Sequence, residues 1–329
     1  MKVLITGAAG FVGAAVTEHF ATKGHDVHAI DSFSDYYSVD LKRFRARNLK
    51  EKFDLEIDEV DLSIKDSVKA IFRDFSPNSV IHLAAQPGVR LPLSENHRYV
   101  KDNLLGFSNV ALESTLHGAD SFIYASSSSV YGDHSSTILT ENLKDLHPIS
   151  FYGATKLTNE ILANALSATT STKFRGLRFF TVYGPWGRPD MAYFKLISAG
   201  LNTNTFTLYG DGSKKRDFTY IDDAIDSVYE LTKEIMQRNG KLSDIVNVGG
   251  GSPVSMDTLI STIEDELQIK INVEKHPNAE GDVNSTFASK QYLEELIGPR
   301  KFVGLEKGIH ETVKWATTFH EKNKLATWI

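Results

Sequence analysis

The segment Lys2-Val3-Leu4-Ile5-Thr6-Gly7-Ala8-Ala9-Gly10-Phe11-Val12-Gly13 constrains the fold of this 329-residue chain more than any other. An apolar run of strand length meets three glycines at GxxGxxG spacing, and helical periodicity begins near Phe11. Gly7 permits a tight turn, Gly10 lets backbone approach a diphosphate, and Gly13 lets the helix pack close to the strand. The first turn of such a helix offers free N–H groups to an anion. A basic start, an apolar stretch and small residues also describe a signal peptide. That alternative leaves the glycine spacing unexplained, and the stretch is too short to span a membrane. A strand, a turn and a helix are therefore expected, with Gly7, Gly10, Phe11, Val12 and Gly13 at a dinucleotide.

Further runs that read as buried parallel strands fall at 3–5, 27–30, 55–57, 80–83, 122–125 and 174–180, with helices expected near 11–24, 64–75, 98–118 and 152–169. Strands alternating with helices build βαβ units, so the expected class is α/β, a Rossmann-type doubly wound parallel sheet. The texture changes after Tyr183, where Gly184-Pro185-Trp186-Gly187-Arg188-Pro189 precedes shorter mixed elements. Residues 1–183 are expected to form the cofactor domain, with returning elements near 220–250. Residues 184–329 are expected to form a smaller, discontinuous C-terminal substrate-binding lobe. The basic stretch 42–47 reads as a solvated helix face.

Thirty-six Lys and Arg against 42 Asp and Glu give a net charge of −6, which speaks against a nucleic-acid or anionic-membrane partner. The absence of Cys removes disulfides, thiolate nucleophiles and Cys-ligated metals, and it suits a reducing cytoplasm. The 11 His include no pair at metal-ligand spacing that is better explained as a metal site than as scattered surface or core residues, so no metal is expected. His134 and His147, near the serine-rich segment, are at most incidental contacts.

Asp31 follows the second strand run by one residue and stands 18 residues past Gly13. A carboxylate there accepts hydrogen bonds from ribose hydroxyls and repels a 2′-phosphate, favouring NAD over NADP. Asp61 and Leu62 are expected at the adenine, and Leu83, Ala84 and Ala85 along the cofactor. Tyr152-Gly153-Ala154-Thr155-Lys156 places a phenol and an ammonium one helical turn apart. A free phenol, with a pKa of about 10, is a poor base at neutral pH; a neighbouring ammonium stabilises the phenolate. Ser126-Ser127-Ser128-Ser129-Val130-Tyr131-Gly132 puts hydroxyls at the C-terminal end of the fifth strand, where open α/β sheets bind ligands.

With these residues the chain resembles the extended short-chain dehydrogenase/reductase family, the NAD-dependent epimerases and dehydratases of nucleotide sugars. The segments Asp31-Ser32-Phe33-Ser34-Asp35-Tyr36-Tyr37, His82-Leu83-Ala84-Ala85-Gln86-Pro87-Gly88-Val89-Arg90 and Arg216-Asp217-Phe218-Thr219-Tyr220 carry the resemblance, as does the stretch 177–191. The resemblance implies a catalytic triad of Ser127, Tyr152 and Lys156, with tightly bound and recycled NAD. Within the family it is greatest to the enzymes that interconvert UDP-glucuronate and UDP-galacturonate through a 4-keto sugar. A 4-epimerase of a neutral UDP-hexose is the alternative, and a decarboxylase or a non-catalytic NAD-binding regulator stands further off. The dehydratases carry an acidic pair just after the catalytic hydroxyl, where this chain has Ser128 and Ser129. The decarboxylases carry a Glu in this loop, which this chain lacks. Ser128, Ser129, Thr181 and Arg188 are expected at a sugar carboxylate, Arg216 at the diphosphate and Asp282 at a ribose. Phe194, Thr207, Leu208 and Tyr209 are expected around the uracil. Ala279 stands where neutral-sugar epimerases carry an Arg, and Arg90 or Lys195 is expected to supply the missing phosphate contact. The resemblance also implies a homodimer through helices near 98–118 and 152–169.

Overall fold

The computed structural model describes residues 1–134, 138–278, 283 and 285–323. The first strand, β1 (Lys2–Thr6), runs through the glycine turn into α1 (Phe11–Thr22), and β2 (Asp26–Asp31) returns beside it. Then follow α2 (Val39–Phe53), β3 (Ile57–Glu59), α3 (Lys65–Phe75) and β4 (Ser79–His82). The next helical stretch joins α4 (His97–Tyr99) through a π-helical segment, Val100–Gly106, to α5 (Phe107–Leu116). After it come β5 (Ser121–Ser127), α6 (Phe151–Thr169) and β6 (Lys173–Phe179).

The remaining chain contributes β7 (Thr181–Tyr183), α7 (Ala192–Asn202), β8 (Thr205–Tyr209), β9 (Lys215–Tyr220), α8 (Ile221–Gln237), β10 (Ser243–Val248), β11 (Pro253–Ser255) and β12 (Asn272–His276). Three further helices, Met256–Leu267, Gln291–Ile297 and Leu305–Asn323, complete it.

Among the described residues, seven strands form one parallel sheet in the order β10-β6-β5-β4-β1-β2-β3. The strand β10 is the element that returns to this sheet from beyond residue 184, pairing Val248 with Phe179. The sheet sits between two apolar layers. One gathers Val3, Ile5, Val16 and Phe20 with α7 and α8 residues; the other gathers Leu4, Val80, Phe107, Phe122 and Phe174. Alternate residues of β1 serve opposite layers, which is why its whole run is apolar.

The sheet order reverses at β1, between β4 and β2, leaving a crevice at the C-terminal strand ends. Thr6 stands opposite both Ile30 and His82, and His82 opposite Tyr124, so β5 extends three residues further and lifts Ser127 toward the crevice.

Two expectations need correction. The third strand lies at 57–59 rather than 55–57, because this edge strand pairs Ile57 with Ala29 and Glu59 with Asp31 and buries little. The basic stretch 42–47 lies in a helix, but not on a wholly solvated face: Lys42 and Arg45 are buried. Both end on oxygens of distant or looped backbone, which local charge counting does not register.

Candidate active site

The crevice is a cleft of about 670 Å³ running from the glycine turn across the ends of β5 and β7. At one end Gly7 adopts φ 72°, and a Cβ there would run into the Ala84 backbone. A Cβ on Gly13 would overlap the Gly7 carbonyl oxygen, so the helix comes this close to the turn only with glycine. No side chain caps α1, which leaves the N–H groups of its first turn facing the cleft beside Gly10, Phe11 and Val12. Asp31 lies at the cleft with its two carboxylate oxygens oriented by the Ala9 N–H at 3.0 Å and the Phe33 N–H at 2.7 Å. Asp61, Leu62, Leu83, Ala84 and Ala85 line the same end, and Asp61 pairs with Lys101 at 2.7 Å. Lys42, from the basic stretch expected to face solvent, also lines the cleft; burial lowers its pKa to about 8, and its Nζ donates to the Ser34 carbonyl.

Toward the middle, Ser150 caps α6 by accepting from the Gly153 N–H at 3.0 Å, and this start sets Tyr152 and Lys156 one turn apart on the face toward β5. Lys156 is 2% exposed, donates from Nζ to the Ala125 carbonyl at 2.9 Å, and has its pKa lowered to about 8 by desolvation. Desolvation pushes the Tyr152 phenol up, while the Arg188 charge and a hydrogen bond with Ser127 pull it back. Ser127 is extended at the end of β5 and accepts from the Ser129 N–H at 3.1 Å. Its neighbour Ser126 points the other way, donating to Glu160 at 2.5 Å, where Arg178 closes a buried pair at 2.9 and 2.7 Å. All four serines from Ser126 to Ser129 line the cleft, but the Ser126 hydroxyl is committed to Glu160 of α6, which leaves those of Ser127, Ser128 and Ser129 for a ligand.

The π-helical segment has a local role as well. Asn103 accepts from the Gln86 N–H at 2.7 Å and donates to Thr155 at 3.1 Å, tying the loop after β4 to α6 beside Tyr152.

At the far end Thr181, Arg188, Lys195, Arg216 and Arg90 line the cleft. Arg188 is not a free cation, because it is paired with Asp190, which also accepts from Tyr36 at 3.3 Å. Arg216 donates to the Val283 carbonyl at 2.8 Å. Asp217, next to it, has no exposed surface, and its carboxylate holds the Gly251 and Ala288 N–H groups at 3.0 and 2.9 Å; burial raises its pKa to about 6. Several expected contacts lie off the cleft. Phe194 is a core residue of α7 packed toward Trp315, since α7 turns its apolar face inward. Strand alternation puts Leu208 in the core and leaves Thr207 and Tyr209 exposed, with Arg90 5.5 Å over the Tyr209 ring. Asp282 and Ala279 lie outside the described residues. His134 and His147 interact around Asp145 and do not line the cleft. Among the described residues no cluster of His, Cys, Asp or Glu is arranged to hold a metal, and no helix is long and apolar enough to cross a membrane.

A model of the NAD dependent epimerase/dehydratase family matches residues 3–249. The chain belongs to that family. Among its relatives, UDP-glucuronate 4-epimerase 4 of Arabidopsis thaliana is 36% identical over 340 residues, covering 99% of this chain and 77% of that protein. The crystal structure of UDP-glucuronic acid 4-epimerase from Bacillus cereus, in complex with UDP-glucuronic acid and NAD, superposes with a TM-score of 0.90 at 30% identity, covering 97% of this chain and 100% of that one. The UDP-glucose 4-epimerase of Thermus thermophilus, in complex with NAD, gives 0.85 at 26% identity, with 96% and 98% covered. NAD is the cofactor of this epimerase/dehydratase chain, and the residues present fit it. The Gly13–Gly7 approach, which any Cβ would force apart, holds the N-terminus of α1 tight against the turn, and the uncapped α1 suits a diphosphate. The fixed Asp31 carboxylate suits a ribose diol and opposes a 2′-phosphate.

Proposed function

We propose that this epimerase/dehydratase chain interconverts UDP-glucuronate and UDP-galacturonate at C4 of the sugar. Ser127, Tyr152 and Lys156 are its catalytic residues. Tyr152 takes the proton of the C4 hydroxyl, and Ser127 holds that oxygen and relays the proton. Lys156, whose pKa of about 8 keeps it mostly charged at neutral pH, stabilises the phenolate across the helix face. The chemistry supplied by bound NAD is reversible hydride acceptance at C4, so the cofactor ends each turnover as it began. Gly7, Gly10, Phe11, Val12, Gly13, Asp31, Asp61, Leu62, Leu83, Ala84 and Ala85 bind it. Residues 1–183 with β10 form the cofactor domain, and the chain from 184 supplies most of the substrate lobe, including Lys195 and Arg216 at the diphosphate.

The observation that carries the uronate assignment is the set of neutral hydroxyls lining the cleft: Ser128 and Ser129, at the positions of the dehydratases' acidic pair, and Thr181 of β7. Hydroxyls and backbone N–H groups hold a carboxylate by hydrogen bonds without donating a proton to it. A carboxylate next to a C4 ketone leaves as CO₂ when its C–C bond aligns with the carbonyl π system, so pinning it in another orientation protects the intermediate. Replacing Ser128 and Thr181 by Ala should therefore raise CO₂ release per turnover or weaken uronate binding; no change in either would refute the carboxylate seat. A neutral UDP-hexose is the second reading, favoured by the Arg188–Asp190 pair, which neutralises the cation expected at the sugar carboxylate. Relative kcat/KM for UDP-glucuronate and UDP-glucose separates the two.

The working form is a homodimer. Helices α5 and α6, with the π-helical segment, leave Leu105, Leu112, Leu116, Ile161 and Leu162 exposed on the outer surface, an apolar face that a second copy would cover. The lack of Cys accords with a cytoplasmic setting.

A further inference from the structure

The roles given above to Ser127, Tyr152, Lys156 and the cleft residues make no use of Arg45. It lies in α2, is 2% exposed, and five hydrogen bonds use its five guanidinium N–H groups. Nη1 donates to the Ala9 carbonyl at 3.0 Å and to the Tyr37 hydroxyl at 2.7 Å. Nε donates to the Trp186 carbonyl at 3.1 Å; Nη2 donates to the same oxygen at 2.6 Å and to the Gly187 carbonyl at 3.0 Å. None of these acceptors carries a formal charge. Burying a cation with neutral partners alone is a poor way to gain stability, and an apolar side chain of similar volume would do better.

The arrangement makes sense as a bridge. Ala9 belongs to the glycine turn between β1 and α1. Trp186 and Gly187 open the loop whose Arg188, Asp190 and Met191 line the opposite wall of the cleft. That loop is conformationally costly: Trp186 sits at φ 62°, and any side chain at Gly187 would strike the Tyr193 hydroxyl. Backbone in that state persists only where its surroundings over-determine it, and Arg45 holds both of its carbonyls. The planar fork of arginine can grip two segments at once, which the single point charge of lysine cannot.

We propose that Arg45 is a positioning residue that locks the dinucleotide turn to the 186–191 loop, so that occupancy of the cofactor end and of the nucleotide-sugar end strengthen each other. The proposal rests on the assignment of this cleft to NAD and a UDP-sugar. Coupling between sites is reciprocal and commonly amounts to fivefold or more in affinity.

The test uses purified holoenzyme and UDP, which binds without permitting chemistry. The rate at which bound NAD exchanges with labelled free NAD is measured with and without saturating UDP, in wild type and in Arg45→Lys, Arg45→Gln and Arg45→Met. In wild type UDP should slow exchange about fivefold or more. In every variant that folds, exchange should be faster and the UDP effect absent, with Lys no better than Met despite its charge. A UDP effect retained in the variants, with only a lower Tm, would reduce Arg45 to a packing role and overturn the bridge. Restoration by Lys would assign the effect to charge and overturn it as well. UDP-independent exchange in the wild type overturns the proposal even where no variant folds. A wild-type protein that holds neither NAD nor UDP would instead overturn the assignment of the cleft.

Discussion

Lys156 Nζ donates to the Ala125 carbonyl at 2.9 Å and lies 5.7 Å from the centroid of the Tyr152 ring, so one strand carbonyl aims the ammonium at the phenol one turn away. In the proposed mechanism the cation acts on Tyr152 through space, on the energy of the phenolate.

Removing that charge disfavours the phenolate and raises the pKa of the base. Lys156→Met should therefore lower kcat at pH 7 by roughly 10²–10⁴-fold, the usual worth of a positioned proton-transfer group. The loss should shrink as pH rises, because hydroxide restores what the ammonium supplied. Steady-state rates from pH 6 to 10 test this, and a loss of equal size at every pH would contradict it.

The same lysine links stability to pH. Its pKa is about 8 in the folded chain against 10.5 when unperturbed, so between those values the unfolded chain binds more protons and stability rises with pH. Below about pH 8 the penalty is fully present. The difference in stability between Lys156→Met and wild type, taken from urea unfolding, should therefore move in favour of wild type from pH 7.5 to 10. A difference independent of pH would place the lysine's folded pKa near its ordinary value.

Gly13→Ala puts a methyl against the Gly7 carbonyl. The turn and α1 must separate, and purified protein should lose its bound NAD, read from the cofactor released on heating. Full NAD content would show that the turn tolerates the shift.

Glu160 and Arg178 pair in the buried layer beneath the triad, with Ser126 and the Tyr131 ring as their other neighbours. Glu160→Ala leaves an uncompensated buried guanidinium and should cost roughly 3–5 kcal/mol in urea unfolding, whereas removing both partners together, as Glu160→Gln with Arg178→Met, should cost less. Equal destabilisation by the single and double changes would contradict the pairing account.

Leu116 and Ile161 are 73% and 62% exposed on neighbouring helices. Glu at both positions should convert a dimer to a monomer in analytical ultracentrifugation with the far-UV spectrum unchanged. A wild-type monomer would remove the need for a covering copy.

Much of the site was legible because its determinants are local. Three glycines at fixed spacing dictate how closely a helix follows a strand, and a separation of four places Tyr152 and Lys156 on one face. The choice of Ser127 among four consecutive serines rests on the family resemblance, and it takes the structure to show that the Ser126 hydroxyl is committed to Glu160. What escaped depends on partners far away in sequence. Arg45 belongs to a basic run, yet Trp186, 141 residues on, gives it carbonyls to bind. A signal was present, since Leu41, Arg45 and Leu49 recur at four-residue steps and all three are buried. The Arg188–Asp190 pair lies only two residues apart in sequence, but nothing in that spacing tells whether Arg188 faces a ligand or its neighbour. Phe194, Thr207 and Tyr209 illustrate the same gap: apolar or aromatic type does not say whether a side chain faces a cleft, the core or solvent.

The most direct measurement mixes purified protein with UDP-glucuronate, adds no cofactor, and follows the sugar by NMR while released CO₂ is assayed. UDP-galacturonate should appear without CO₂ and with no net change in cofactor absorbance. An unchanged UDP-glucuronate spectrum from protein that converts UDP-glucose would contradict the uronate assignment, and conversion to UDP-xylose with stoichiometric CO₂ would contradict the epimerase account.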